Sequence, residues 1–202
     1  MLTEAFPIGW FDFPPSAVLC EGVFDSRALK RAIQVTHPHL RESLTVPEFG
    51  YDREGSSASL AKLVRGLADA GIRKPEFIVV FDADRAGVAE AMRLRQANLP
   101  NNFKVKTLPQ IDLLEKYPVL LPDGIAEMNI SEWGAAIEVY LVADLGMTPP
   151  PLVLSFQYGS YSGYQGVMQN ADKKQIQSAF ESTRDEDNKW PTLERIVRHI
   201  IE

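Results

Sequence analysis

The amino-acid sequence predicts an α/β fold built on a doubly wound parallel sheet. Apolar runs of strand length alternate with helix-length segments from residue 17 to about residue 108. The run from Phe77 to Phe81 is continuous, apolar and rich in β-branched residues, which is typical of a central strand covered on both faces. Strands that alternate with helices pair in parallel, so these segments indicate one sheet with helices on its faces.

The first predicted unit is a strand at residues 17–20 followed by a helix. Asp25 is a suitable N-cap for this helix, and apolar residues follow at helical spacing. The apolar stripe stops at Thr36, and Pro38 disfavours helical geometry at the residue before it. The helix is therefore expected to be short.

The next units continue the alternation. Residues 43–46 predict a second short strand, and a helix is expected to begin at Ser57 and to end at Gly71, which stands where a C-cap glycine belongs. After the central strand, residues 85–98 predict a helix and residues 103–108 predict a further strand.

The pattern changes near residue 109. Residues 109–130 contain three prolines and few periodic signals, and the Tyr-, Ser- and Gly-rich segment 156–166 suits a folded loop. Helices are predicted at residues 131–145, 173–186 and 191–201.

These changes predict three parts of the chain. They are an N-terminal extension (residues 1–15), an α/β core (residues 16–110) and a mainly helical C-terminal elaboration packed on the core (residues 111–202).

Composition limits the partners. The chain has 27 acidic and 21 basic residues and a net charge of −6, so it has no global positive field that would bind polyanions. A nucleic acid would have to be held locally, by a divalent metal ion and a few placed Lys or Arg residues.

No run approaches the roughly 18 to 20 apolar residues of a membrane span, and the N-terminus lacks signal-peptide features, so a cytoplasmic protein without a membrane partner is expected. The single cysteine, Cys20, is expected to be a small buried residue.

Acidic residues follow two of the predicted strands directly. Glu21 follows the first strand, and Asp82 and Asp84 follow the central one. Neighbouring parallel strands end at a common crevice, and residues two apart on an extended chain point the same way. Because Mg²⁺ accepts a small number of hard oxygen ligands, the sequence predicts an Mg²⁺ (or Mn²⁺) site formed by Glu21, Asp82 and Asp84.

These residues resemble the Toprim pattern of topoisomerases, bacterial primases and OLD-family nucleases. The matching segments are Glu21-Gly22 with Asp25 and Leu29 downstream, and Phe81-Asp82-Ala83-Asp84-Arg85-Ala86-Gly87. The resemblance implies a Rossmann-like Toprim core in which Glu21 is a general acid or base and Asp82 and Asp84 hold Mg²⁺. Gly22, Asp25 and Gly87 would lie beside that site. The position between the two aspartates is often Asn in these relatives, and here it is Ala83.

The chain also resembles bacterial HEPN/Toprim-associated proteins, which are linked to anti-phage and other conflict systems. The matching segments are Gly55-Ser56-Ser57, Ala136-Ile137-Glu138-Val139-Tyr140-Leu141, Tyr164-Gln165-Gly166, and Lys173 with Ile176-Gln177. This resemblance implies that Glu138 and Lys173 approach the metal site, with the lysine balancing charge on a scissile phosphate. It also implies a nucleic-acid substrate. Only about 15 residues precede the first strand, too few for an N-terminal HEPN domain, so the chain is expected to be either a fragment of a longer protein or a subunit whose protein partner supplies a HEPN or other effector domain.

The leading interpretation is thus a metal-dependent nuclease, and two alternatives are open. One is a haloacid dehalogenase-type phosphatase with Asp82 as nucleophile and Asp84 as acid/base, although Ala86 stands where that family usually has Thr or Val. The other is a non-catalytic regulatory module that binds a nucleotide or a protein partner.

Three further features suggest additional hypotheses. Tyr158, Tyr161 and Tyr164 could stack bases. His37 and His39 flank Pro38 and could bind zinc, but a surface turn is the simpler expectation. Arg31 and His37 match the Arg-His spacing of HEPN ribonucleases, which we interpret as coincidence because both lie inside the α/β unit.

Overall fold

Two four-stranded sheets and six α-helices form the described part of the chain. The structure is a computed structural model that describes residues 15–48, 56–158, 161–187 and 190–202. The predicted N-terminal extension, apart from residue 15, and Gly55 of the matched loop lie outside these residues.

The first sheet is entirely parallel, with strand order β2-β1-β3-β4. Its strands are β1 (Ser16–Cys20), β2 (Leu44–Thr45), β3 (Glu76–Phe81) and β4 (Phe103–Thr107). The helices that follow β1, β2 and β3 are α1 (Val23–Thr36), α2 (Ser57–Asp69) and α3 (Arg85–Gln96). The predicted Rossmann-like α/β fold is therefore confirmed.

Both faces of this sheet are buried. Successive residues of a strand point to opposite faces. Ile78 and Val80 of β3 belong to a hydrophobic cluster that includes residues of α1 and of the C-terminal half of the chain. Phe77 and Val79 pack with α2 and α3 on the other face. This arrangement explains why the central strand is a continuous apolar run.

The helix α1 is longer than the sequence analysis expected. Gly22, and not Asp25, is the N-cap, and the Asp25 carboxylate accepts a hydrogen bond of 2.8 Å from the Gly22 backbone N–H. Asp25 is therefore the third helical residue, in the position of the acid of a capping box. At the other end, the Thr36 hydroxyl donates to the Ala32 carbonyl (2.7 Å), which lets a polar residue occupy the last turn.

The C-terminal region contains a second sheet that the sequence analysis missed. Its strands are β5 (Tyr117–Leu121), β6 (Gly124–Met128), β7 (Leu152–Gln157) and β8 (Gly163–Val167), in the order β6-β5-β7-β8. The β5–β6 and β7–β8 pairs are antiparallel, and β5–β7 is parallel. These strands are short, partly exposed and interrupted by Pro118 and Gly166, so their apolar alternation is weak.

The remaining helices are α4 (Ile137–Asp144), α5 (Asn170–Ser182) and α6 (Pro191–Ile201), and short 3₁₀ helices lie at Pro38–Leu40, Asp112–Lys116 and Asp185–Asp187. The predicted α6 is confirmed, whereas α4 begins six residues later than the expected residue 131. The reason is that Ala135 pairs with Ala83 in an isolated antiparallel bridge, which requires extended backbone just before the helix. Within the described residues, every helix is too short or too polar to span a lipid bilayer.

Arg31 joins α1 to the C-terminal helices. Its guanidinium lies 4.7 Å from the Phe180 ring centre and 4.9 Å from the Trp190 ring centre. It also donates to the carbonyls of Phe180 and Thr183 and to the Asp185 carboxylate. Arg31 thus satisfies backbone carbonyls at the end of α5 and fixes the chain that leads into α6.

We expect Arg31→Ala to lower the free energy of unfolding by about 2 to 4 kcal/mol, because it removes both the cation–π contacts and several charge-assisted hydrogen bonds. Urea unfolding followed by circular dichroism measures the change. Arg27→Ala is the matched control on the same helix. Among the described residues Arg27 forms only exposed ion pairs, so this variant should lose less than about 1 kcal/mol. Equal losses in the two variants would contradict the role of Arg31.

Candidate functional site

The carboxyl ends of β1 and β3 meet at one edge of the first sheet. The two strands are adjacent and parallel, and Cys20 lies opposite Val80. Glu21 follows the last residue of β1, and Asp82 follows the last residue of β3. The Glu21 Oε1 atom accepts a hydrogen bond of 3.0 Å from the backbone N–H of Asp82. The structure therefore brings Glu21 against the aspartate segment, although 61 positions separate them in the chain.

Glu21 is a buried carboxyl group with two protein donors. Its side chain is buried (8% exposed), and its Oε2 atom accepts a hydrogen bond of 2.7 Å from the Ser57 hydroxyl at the start of α2. Burial, helped by the charge of Asp84, raises the pKa of Glu21 to about 8, and the hydrogen bonds from Ser57 and Asp82 offset only part of this effect. Ser57 was predicted as a helix start and as part of the matched Gly55-Ser56-Ser57 segment, but its hydrogen bond to Glu21 was not predicted.

Gly87 allows the N-terminus of α3 to approach Glu21. A Cβ atom at this position would overlap the carbonyl oxygen of Asp82 and would lie 2.9 Å from Glu21 Oε1. Any larger residue would push α3 away from the ends of β1 and β3. Gly22 is less constrained, because a Cβ there would lie 3.1 Å from the Asp25 carboxylate.

Asp84 has a structural role as well as a place in the site. Its Oδ1 atom caps α3 by accepting a hydrogen bond of 2.7 Å from the Gly87 N–H. Its Oδ2 atom accepts a hydrogen bond of 3.0 Å from the Gln165 side chain of β8. Desolvation raises the pKa of Asp84, and the Gly87 N–H and the charge of Lys173 oppose that rise.

Asp82 differs from Glu21 and Asp84 because no donor among the described residues forms a hydrogen bond to its carboxylate. Desolvation raises its pKa well above the ordinary value, and the charges of Asp25, Glu21, Asp84 and Glu138 raise it further. The residue between the aspartates, Ala83, is buried and belongs to the core.

Glu138 and Lys173 approach the same site from the C-terminal region. Glu138, at the start of α4, is 5% exposed and accepts a hydrogen bond of 2.9 Å from the Gln177 side chain. Desolvation and then the charge of Glu138 raise the pKa of Asp25 to about 6, while the Gly22 N–H and Lys173 oppose the rise. Within the described part of the chain, the Lys173 ammonium is in no ion pair.

We call five carboxyl groups at this edge the acidic cluster: Glu21, Asp25, Asp82, Asp84 and Glu138. In the described conformation, no three His, Cys, Asp or Glu side chains of the described residues stand close enough together to hold a metal ion. The donor chemistry nevertheless fits Mg²⁺, because this ion needs only one or two direct carboxylates and keeps several waters. Neither carboxylate oxygen of Asp82 accepts a hydrogen bond from a described donor, and the ligand set of Glu21, Asp82 and Asp84 stays a prediction.

Comparisons of the chain with protein-family models, with curated proteins and with solved structures found no match. The fold and the site therefore describe the class of protein: it is an α/β protein in which a cluster of carboxyl groups surrounds the ends of two adjacent parallel strands.

The acidic cluster makes the metal-free protein less stable as the pH rises. The folded-state pKa of Glu21, about 8, lies above its ordinary value of 4.5, so the folded state holds this proton more tightly than the unfolded state. The stability that this proton contributes is complete below about pH 4.5 and is lost as the pH rises toward 8. Asp25, Asp82 and Asp84 act in the same direction.

We therefore expect Asp82→Asn to raise the Tm of the metal-free protein at pH 8 by roughly 3 to 8 °C, because it removes a charge that no donor among the described residues stabilises. At pH 5.5 the gain should be smaller. Differential scanning calorimetry in EDTA measures both values. Asp69→Asn is the matched control, since this exposed residue lies at the far end of α2. A lower Tm for Asp82→Asn at pH 8 would show that the repulsion is absent.

Proposed function

We propose that this chain is a Toprim-type enzyme that uses a divalent metal ion to cleave phosphodiester bonds in nucleic acid. One observation is the main support: Glu21 lies against the Asp82 backbone at the ends of two adjacent parallel strands. The Glu-Gly and Asp-Ala-Asp segments that resemble Toprim proteins thus occupy one edge of one sheet.

The charge balance of the site favours a cation. Five carboxyl groups share this edge. Desolvation is the largest cause of the raised pKa of Asp82, and the charges of Asp25, Glu21, Asp84 and Glu138 raise it further. Such crowding costs stability unless a positive charge compensates it. We propose that Asp82 and Asp84 hold Mg²⁺ or Mn²⁺, with Glu21 beside them. When bound, the ion would stabilise the negative charge that develops on a phosphate.

The residues around the cluster have separate roles in this proposal. The Glu21 carboxyl group, with a pKa of about 8 in the metal-free protein, suits a residue that donates or accepts a proton near neutral pH. Lys173 lies within electrostatic reach of Asp25 and Asp84 and has no ion-pair partner among the described residues, so it can balance a phosphate charge. Gln165 and Gln177 hold Asp84 and Glu138 in place.

The resemblance to HEPN/Toprim-associated proteins extends the proposal. The enzyme would act in a bacterial defence or conflict system, with a partner protein that supplies a HEPN or other effector domain.

A non-catalytic module that binds a nucleotide or a partner protein is the second candidate. The observation in its favour is that protein donors already engage Glu21 and Asp84. In this case the acids would serve the fold or a bound ion and not a reaction.

A nuclease assay separates the two candidates. We expect the wild-type chain to cut single- or double-stranded DNA or RNA with Mg²⁺ or Mn²⁺ and to be inactive in EDTA. Asp82→Asn and Glu21→Gln should each lose activity by about 100-fold or more, because they remove a metal ligand and a proton-transfer group. Asp69→Asn, with the same change of charge away from the site, should keep full activity.

Other outcomes would contradict the nuclease. Cation binding without turnover would favour the non-catalytic module. Phosphate release from a small phosphomonoester, without cleavage of nucleic acid, would favour a phosphatase of the haloacid dehalogenase type.

A further inference from the structure

Three exposed aromatic side chains form a cluster on the β7–β8 hairpin. Phe156, Tyr158 and Tyr164 are 44%, 86% and 60% exposed, respectively. The Phe156 ring centre lies 4.9 Å from that of Tyr158 and 5.3 Å from that of Tyr164, and both contacts are edge-on. We call these three residues the aromatic platform. Contiguous exposed apolar surface of this kind marks binding sites in many proteins.

The hairpin is fixed to α3, so the platform has a defined position. The Arg85 Nε atom donates to the carbonyls of Tyr161 (3.1 Å) and Ser162 (2.8 Å). Gly163 has a φ of +139°, and a Cβ atom there would overlap the Arg85 guanidinium. The Tyr161 hydroxyl donates to the buried Glu90 carboxylate (2.6 Å). Tyr161 is therefore an anchor, unlike the exposed Tyr158 and Tyr164.

A groove leads from the platform to the start of α3. It has a volume of about 450 Å³ and extends from Tyr164 to Arg85, the residue after Asp84, and its other walls include Met128, Trp133 and Leu154. Tyr164 and Gln165 are successive residues of β8, so their side chains point to opposite faces of the sheet, and Gln165 is the one that reaches the Asp84 carboxylate. A ligand on the platform would therefore extend along the groove as far as Arg85.

The charges of the region favour bases over phosphates as the groups that bind here. The chain has a net charge of −6, and the carboxyl groups of the acidic cluster repel bare phosphates. Stacking on aromatic rings needs no positive field and requires unpaired bases, whose faces a duplex hides. The Arg85 guanidinium lines the same groove and can contact a base or a single phosphate.

We propose that the aromatic platform stacks the unpaired bases of a single-stranded nucleic acid and that the groove guides the strand past Arg85 toward the acidic cluster. This inference rests on the proposed function, because it names the substrate class of the same site. Tyr158 and Tyr164 are the stacking residues, and Arg85 and Tyr161 position the hairpin.

Fluorescence anisotropy with labelled single-stranded oligonucleotides tests the proposal in an Asp82→Asn background, which prevents cleavage. Tyr164→Ala and Tyr158→Ala should each raise the Kd about tenfold, whereas Tyr164→Phe should change it less than about twofold. Ile125→Ala is the matched control, because Ile125 is 63% exposed on β6, at the opposite edge of the same sheet. An abasic strand and a duplex of equal length should bind more weakly than the single strand, and the salt dependence should be shallow.

Several results would contradict the proposal that the aromatic platform stacks bases. These are equal binding of the abasic strand, preference for the duplex, equal effects of Ile125→Ala and Tyr164→Ala, and no binding at all. A change of oligomeric state in Tyr164→Ala, measured by light scattering, with unchanged binding would mean that the aromatic rings contact another protein copy.

The same experiment separates this inference from the proposed function. If base-dependent binding occurs but the wild-type chain cuts nothing, the base-stacking proposal is supported and the nuclease proposal is contradicted. If the wild-type chain cleaves nucleic acid and Tyr164→Ala binds and cleaves equally well, the nuclease proposal is supported and the base-stacking proposal is contradicted.

Discussion

The hydrogen bond from the Asp82 N–H to the Glu21 carboxylate is the contact on which the site depends. It joins the ends of two neighbouring strands, and it forms because β1 and β3 are parallel and adjacent. This arrangement requires a glycine at position 87, because any side chain there would clash with the Asp82 carbonyl and the Glu21 carboxylate. Backbone geometry therefore brings together the acids, whose charges oppose the contact.

The protein compensates this repulsion only in part. Donors from Ser57 and Gln165 engage Glu21 and Asp84, but no described donor reaches Asp82. A cluster of this kind lowers the stability of the fold. Such a loss of stability is common at sites where side chains are arranged for binding or chemistry. The second sheet takes part in this compensation, because Gln165 belongs to β8.

The sequence was sufficient to predict the parallel sheet and the convergence of Glu21 with the aspartates. Both follow from continuous apolar runs that end in acids, and such runs have few structural alternatives. The second sheet was not predictable in the same way, because its short strands are half exposed. Side-chain partners such as Ser57 depend on tertiary packing that local patterns do not encode.

The most direct test of the account is the location of a bound metal ion. Crystals of the wild-type protein soaked in Mn²⁺ and measured at the manganese absorption edge should show an anomalous peak in contact with the Asp82 carboxylate, beside Glu21 and Asp84. Asp82→Asn crystals should lack the peak. A peak elsewhere, or no peak at the acidic cluster at saturating Mn²⁺, would contradict the claim that these acids are arranged around a cation.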